Sequence, residues 1–299
     1  MTTAAVSAWR WQPHPEVWLL LAGAVALGIY AVRVVGPKVV SPGEPVITRR
    51  QIGFWTTGLV LLYVASDWPL HDIAEEQLYS AHMLQHLLIT FVVPPLLLLG
   101  TPTWLARLVV GDQVVGRWVR RLAHPVVAGV LFNGLIALTH WPALVNASVE
   151  NGALHYSVHL AVFTTALLMW TPVCGPLPEL RLSLPGQMVY LFTMSIIPTI
   201  PAAWLTFAEG AVYSAYDHPD RLWGIGVAAD QQAAGVLMKI GAGFFLWTLI
   251  TVLFFRWAYR HMEADRLGST PTERELLTWD DVEKEFERLG PAPSEDPAH

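Results

Sequence analysis

One cysteine, Cys174, stands among 299 residues, and charged residues make up only 14% of them. A lone cysteine excludes an intrachain disulfide and any Cys-x-x-Cys metal clamp; it is read as a buried small residue. The scarcity of charge excludes an ordinary soluble domain, since hydrophobic residues reach 54% and mean hydropathy is +0.43. A net charge of −6 comes without any basic stripe, so nucleic acid is not an expected partner. The ten-residue alternations of a membrane β-barrel are missing as well. No basic segment precedes the first apolar run, so no cleavable signal is expected and the first span is expected to stay as an anchor.

What the chain does have is continuous apolar sequence. A bilayer core of about 30 Å takes roughly 20 such residues per helix. Seven stretches qualify, near residues 17–35, 51–66, 79–100, 125–142, 153–173, 186–208 and 232–258. The second is short and ends in Asp67-Trp68-Pro69. The expected fold is therefore all-α, a seven-transmembrane-helix bundle that takes in residues 1–261 and touches the lipid bilayer all round.

Lys and Arg set the expected orientation. Arg33, Lys38, Arg49, Arg50, Arg107, Arg117, Arg120, Arg121, Arg181, Arg256 and Arg260 fall on one side, with four more in the tail; only Arg10 and Arg221 fall on the other. The positive-inside rule then puts the N-terminus outside and the C-terminus in the cytoplasm. Residues 262–299 form a cytoplasmic tail. Within it Trp279, Val282, Phe286 and Leu289 recur at helical spacing, giving a short amphipathic helix near 279–289 before a disordered end.

Eight of the eleven histidines fall at or near the outer edge of this bundle. Four form two His-x-x-x-His pairs, His82 with His86 in the third span and His155 with His159 in the fifth. Spacing of four brings both imidazoles of a pair onto one helix face, about 6 Å apart at Cβ. Both spans enter from the same side, so the pairs share one depth, and the fourth span ends there in His140-Trp141-Pro142. A single pair can be mere interhelical hydrogen bonding, but ionisable groups gathered at one depth point to metal, cofactor or proton chemistry. His71 and His218 read as plain loop residues, and Met83 as packing. Imidazole with an occasional thioether suits copper, and imidazole with carboxylate suits zinc or iron. Pro94-Pro95, and Pro198 with Pro201, should kink the third and sixth spans.

Ser80-Ala81-His82-Met83-Leu84-Gln85-His86-Leu87-Leu88, followed by Pro94-Pro95-Leu96-Leu97-Leu98-Leu99-Gly100-Thr101-Pro102, resembles the hallmark of the CtaG-type cytochrome c oxidase assembly proteins, polytopic bacterial membrane proteins. The resemblance runs on through His140-Trp141-Pro142, the His155/His159 span, Trp170-Thr171-Pro172 and Asp230-Gln231 with Gly235, over roughly residues 50–258. It implies a multi-pass protein of the bacterial plasma membrane that helps mature a haem-copper oxidase by supporting copper binding or insertion on the outer side. His82 and His86 would then bind or pass copper, with His155, His159 and His140 as further ligands. Oxidase subunits and copper chaperones are the implied partners. No base and nucleophile pairing stands out, so no enzyme activity is expected.

Three rival readings remain at this point. A bis-histidine haem protein would set imidazoles from two helices on opposite haem faces. A metal or proton transporter would need ionisable groups in the inner halves of the spans, which are nearly bare of them. A retinal protein could use Lys239, but its third span lacks a carboxylate counterion.

Overall fold

The computed structural model describes residues 10–111, 114–217 and 222–268, together with 283, 284 and 288. It divides into two compact units, Met1–Phe254 and Phe255–His299. In the second, description covers the end of a long helix, where the Trp257 and His261 rings lie 4.8 Å apart. The tail helix expected near 279–289 falls outside the described residues apart from 283, 284 and 288.

The described residues are helical, with no strand among them. Helix α1 runs over Pro15–Val39, with Pro15 and Glu16 favouring its first turn. None of its residues as far as Tyr30 is buried, and Leu19, Leu20 and Leu27 lie open on its surface. An apolar helix with so little buried surface fits a lipid-facing position. Helix α2, Arg49–Ser66, starts on a capping box in which Thr48 Oγ1 accepts from the Gln51 amide at 3.2 Å while Gln51 Oε1 accepts from the Thr48 amide at 2.9 Å. The short α3, Leu70–Glu76, follows.

Helix α4, Tyr79–Gly100, carries the motif stretch. Pro94 and Pro95 have no N–H to give the Thr90 carbonyl four or five residues back, and a π-helical turn at Leu88–Val92 sits just ahead of them. The freed carbonyl is satisfied from another helix, by Trp170 Nε1 at 2.8 Å. Beyond it come α5, Thr103–Val110, α6, Val114–Leu122, and α7, Pro125–Thr139, with a 73° bend between the last two. Helix α8, Pro142–Glu150, leads into α9, Gly152–Cys174. The stretch Leu184–Thr206, α10, is interrupted at Pro198, as its prolines predict. Last is α11, Val227–Glu263.

A helix therefore occupies each of the seven stretches marked by sequence. Five of them, α1, α4, α9, α10 and α11, are long and apolar enough to cross a membrane, and the bent pair α6–α7 makes a sixth if it counts as one span. Helix α2 spends its first turn on Arg49-Arg50-Gln51 and does not reach that mark.

Two cores hold the first unit together. One gathers Phe91, Phe132, Trp170, Leu191 and Leu246; the other gathers Tyr79, Met83, Leu205, Tyr213 and Tyr216. Because lipid tails are as apolar as leucine, close packing contributes more here than expulsion of water. Gly235 shows how close: a Cβ there would lie 2.5 Å from Thr206 Oγ1 and 2.6 Å from the Ala202 carbonyl oxygen, so α10 and α11 meet at backbone distance.

Candidate metal centre

The two histidine pairs are set by capped helix ends. Helix α4 begins under Asp230 of α11, whose carboxylate accepts from the Tyr79 amide at 2.7 Å and from the Ser80 amide at 3.0 Å. A carboxylate at a helix N-terminus satisfies otherwise orphaned donors and meets the positive end of the helix dipole. Helix α9 begins under its own Asn151, which accepts from the Leu154 amide at 3.1 Å. His86 is seven residues past Tyr79 and His159 seven past Gly152, so each lies about 10 Å along its helix at 1.5 Å per residue.

That common depth brings the rings together. Within the pairs, ring centres are 4.5 Å apart for His82 and His86 and 4.2 Å for His155 and His159. Across the helices, His159 lies 4.9 Å from His86 and 5.6 Å from His82. One nitrogen from each of His82, His86 and His159 falls within 4.8 Å of the others. Two ligands about 2.0 Å from one ion can be no more than about 4 Å apart, so small ring rotations close this triad on a metal.

The imidazole nitrogens themselves point the same way. His82 Nδ1, both nitrogens of His86, His140 Nε2 and His159 Nε2 are buried without a hydrogen-bond partner. Buried polar atoms left so are rare, and a group of them asks for a ligand. They surround a cavity of about 20 Å3 lined by Tyr79, His82, Met83, His86, His140 and His159 among others, with room for a single atom-sized body. His140 donates from Nδ1 to the Ile136 carbonyl at 2.6 Å. That bond fixes its tautomer and leaves a lone pair on Nε2, the arrangement found behind ligating histidines.

All five histidines singled out by sequence thus line one cavity, though not equivalently. His82, His86 and His159 form the triad, and His140 faces it from the end of α7. His155 is engaged elsewhere: its Nε2 lies 2.6 Å from Glu75 Oε1. Met83 packs into the tyrosine core while edging the cavity. Lys239 donates to Thr199 Oγ1 at 2.6 Å on α10. His218 lies outside the described residues.

His71 is no plain loop residue; it is 5% exposed, on α3, with Nε2 2.9 Å from Glu75 Oε1 and Nδ1 3.0 Å from Gln85 Nε2. Glu75 thus sits between His71 and His155. Burial raises its carboxyl, but the two imidazoles outweigh burial and hold it well below the usual carboxylate range. Farther out, His14 Nε2 meets Asp72 Oδ1 at 2.7 Å. Burial works against the His14 charge, yet Asp72 and then Glu16 prevail and raise its pKa. Asp67 is likewise lowered, since hydrogen bonds from Tyr63 and Trp18 overcome the effect of burial. The sequence carried a signal for this layer in His71-x-x-x-Glu75, but the seven-residue helix after Pro69 hides it.

The Asp230-Gln231 motif has a structural job. Gln231 is fully buried, accepts from the Val212 amide at 2.7 Å and donates to the Tyr213 carbonyl at 3.2 Å, tying α11 to the segment before it.

Fold and site together define a multi-pass helical membrane protein with a buried histidine centre at one end. Over residues 25–260 the chain matches the family described as cytochrome c oxidase caa3 assembly factor (Caa3_CtaG), and it belongs to that family. Relatives include uncharacterized proteins of Mycobacterium bovis and Mycobacterium tuberculosis, each 26% identical over 199 residues. The match covers 60% of this chain and 30% of each relative, so the chain spans about a third of their length. No solved structure matches.

Proposed function

We propose that this chain supports copper delivery during assembly of a haem-copper oxidase, taking the ion as cargo at His82, His86 and His159 with His140 and His155 close by. The observation that carries this reading is the convergence of unpartnered, buried imidazole nitrogens on a cavity of about 20 Å3. Imidazoles without thiolate bind copper and still release it to a competing ligand or on protonation, as delivery requires. In the same reading the seven helices all span the bacterial plasma membrane, N-terminus outside, which puts the histidine end on the extracytoplasmic side. Oxidase subunits and copper chaperones are the partners, and the role is non-catalytic.

The rival haem reading is disfavoured by size. A porphyrin between α4 and α9 would have to enter between rings whose centres are 4.9–6.0 Å apart around a cavity of about 20 Å3, whereas pockets for molecules of that size run to about 300 Å3 or more.

The test is metal analysis of detergent-purified protein together with oxidase assembly in copper-limited cells. Wild type is expected to hold copper and His82→Ala/His86→Ala to lose it and leave the oxidase under-metallated, while His261→Ala behaves as wild type. Full oxidase assembly with the double variant under copper limitation would remove the role assigned to that pair.

A further inference from the structure

Between the triad and the end of the bundle the structure holds a continuous line of imidazoles and carboxylates. A cavity of about 540 Å3 lined by Arg10, Gln12, His14 and Glu76 lies at the start of it. His14 pairs with Asp72 there, and its ring meets the His71 ring edge-on at 4.8 Å. His71 touches Glu75, Glu75 touches His155, and the His155 ring stacks at 4.2 Å on His159 of the triad.

Within that line Glu75 is the group that reaches from the surface to the interior. Its side chain is 33% exposed, while those of His71 and His155 are 6% exposed. The surroundings of the two flanking imidazoles differ. Gln85 Nε2 donates to the Ala65 carbonyl at 2.8 Å and also faces His71 Nδ1 at 3.0 Å, which must therefore accept, leaving a proton on His71 Nε2, 2.9 Å from Glu75 Oε1. His71 thus flanks the carboxylate only as a close neighbour, with its own Nδ1 tied to Gln85. His155 Nε2 and His71 Nε2 lie 2.6 and 2.9 Å from the same Glu75 Oε1, neither aligned as a hydrogen bond, and His155 Nε2 and Glu75 Oε1 are both buried without a hydrogen-bond partner. An ion about 2.0 Å from each would need them only a few tenths of an ångström farther apart.

We propose that Glu75 and His155 form a second, weaker cation station, through which copper passes between the cavity at His14 and the His82–His86–His159 triad. The proposal rests on the triad's being a copper site. One carboxylate oxygen and one imidazole nitrogen suit Cu2+, and two ligands hold it loosely enough to pass on.

A transit residue speeds binding and release alike, whereas one that only props the triad changes release alone. Full-length protein in detergent is mixed with Cu2+ in a stopped flow, tryptophan quenching reports binding, and an EDTA chase reports release. For Glu75→Gln both rates are expected to fall about tenfold with Kd unchanged, in line with the loss of a focusing charge. Unchanged rates, or a weaker Kd from faster release only, would overturn the station. Glu75→Asp keeps the charge and draws it back by one methylene, so it serves if the Gln variant does not fold; intermediate slowing is expected, and wild-type rates overturn the proposal. Copper uptake that vanishes in His82→Ala/His86→Ala but keeps wild-type rates in Glu75→Gln removes the station alone. If wild type takes up no Cu2+, triad and station fall together.

Discussion

Around Trp170, Phe91, Phe132 and Leu246 the buried surface is almost wholly apolar, and its hydrogen bonds mend backbone opened by proline, as Trp170 does for Thr90. Around Tyr79, His82 and Tyr216 the bundle instead buries carboxylates, amides and imidazoles side by side. In this second region three polar groups that build the fold have defined partners: Asp230 caps α4, Gln231 ties down Val212 and Tyr213, and Tyr216 donates to the Ala74 carbonyl at 3.1 Å. The imidazole nitrogens facing the cavity do not. The contrast separates polarity that builds the fold from polarity held ready for a ligand.

Three substitutions sharpen this contrast. The largest effect is expected from Asp230→Ala, which leaves two amides at the head of α4 without their charged acceptor. Hydrogen bonds to charged groups contribute about 1.5–3 kcal/mol each, so for two of them thermal unfolding in detergent should show a loss of about 3–6 kcal/mol. Copper uptake should fall with it, because α4 carries His82 and His86. Wild-type stability would mean the cap is ornamental and the contrast misdrawn.

Trp170→Phe keeps an aromatic ring, though a smaller one, and leaves the Thr90 carbonyl unsatisfied. The expected cost is about 1–3 kcal/mol, read as a lower unfolding temperature with copper binding retained. Loss of copper binding at full stability would tie the apolar core to the site and break the separation.

The smallest effect concerns pH. The His14 pKa is raised above its usual 6.5 by Asp72, so pairing contributes stability that is fully present below about 6.5 and is lost as pH rises through the raised value. For a pair near the surface this amounts to about 1 kcal/mol or less. Unfolding temperature compared for wild type and Asp72→Asn across that window should converge at high pH; a gap that stays constant would mean that His14 charge has no part in it.

Much of this was legible before any coordinates. Each long helix lies where an apolar run marks it, and the i,i+4 spacing put His82 with His86 and His155 with His159 on shared faces, since helix period and rise follow from the chain alone. The break at Pro198 could be read in the same way. Helix α3 could not: seven residues after a proline form a helix here because Gln85, His155 and Tyr216 hold it from other elements, through His71, Glu75 and the Ala74 carbonyl. The 73° bend between α6 and α7 was equally silent, arising where two short helices meet at Ala123-His124.

Sequence by itself determined that the chain is a set of apolar helices with imidazoles at one common depth, because run length, helical period and the cost of burying polar groups are local properties. Which imidazole joins which was decided only by packing. His159 reaches the α4 pair while His155, one turn away on the same helix, turns to Glu75, since ring distances of 4 to 6 Å depend on how α3, α4 and α9 sit against one another.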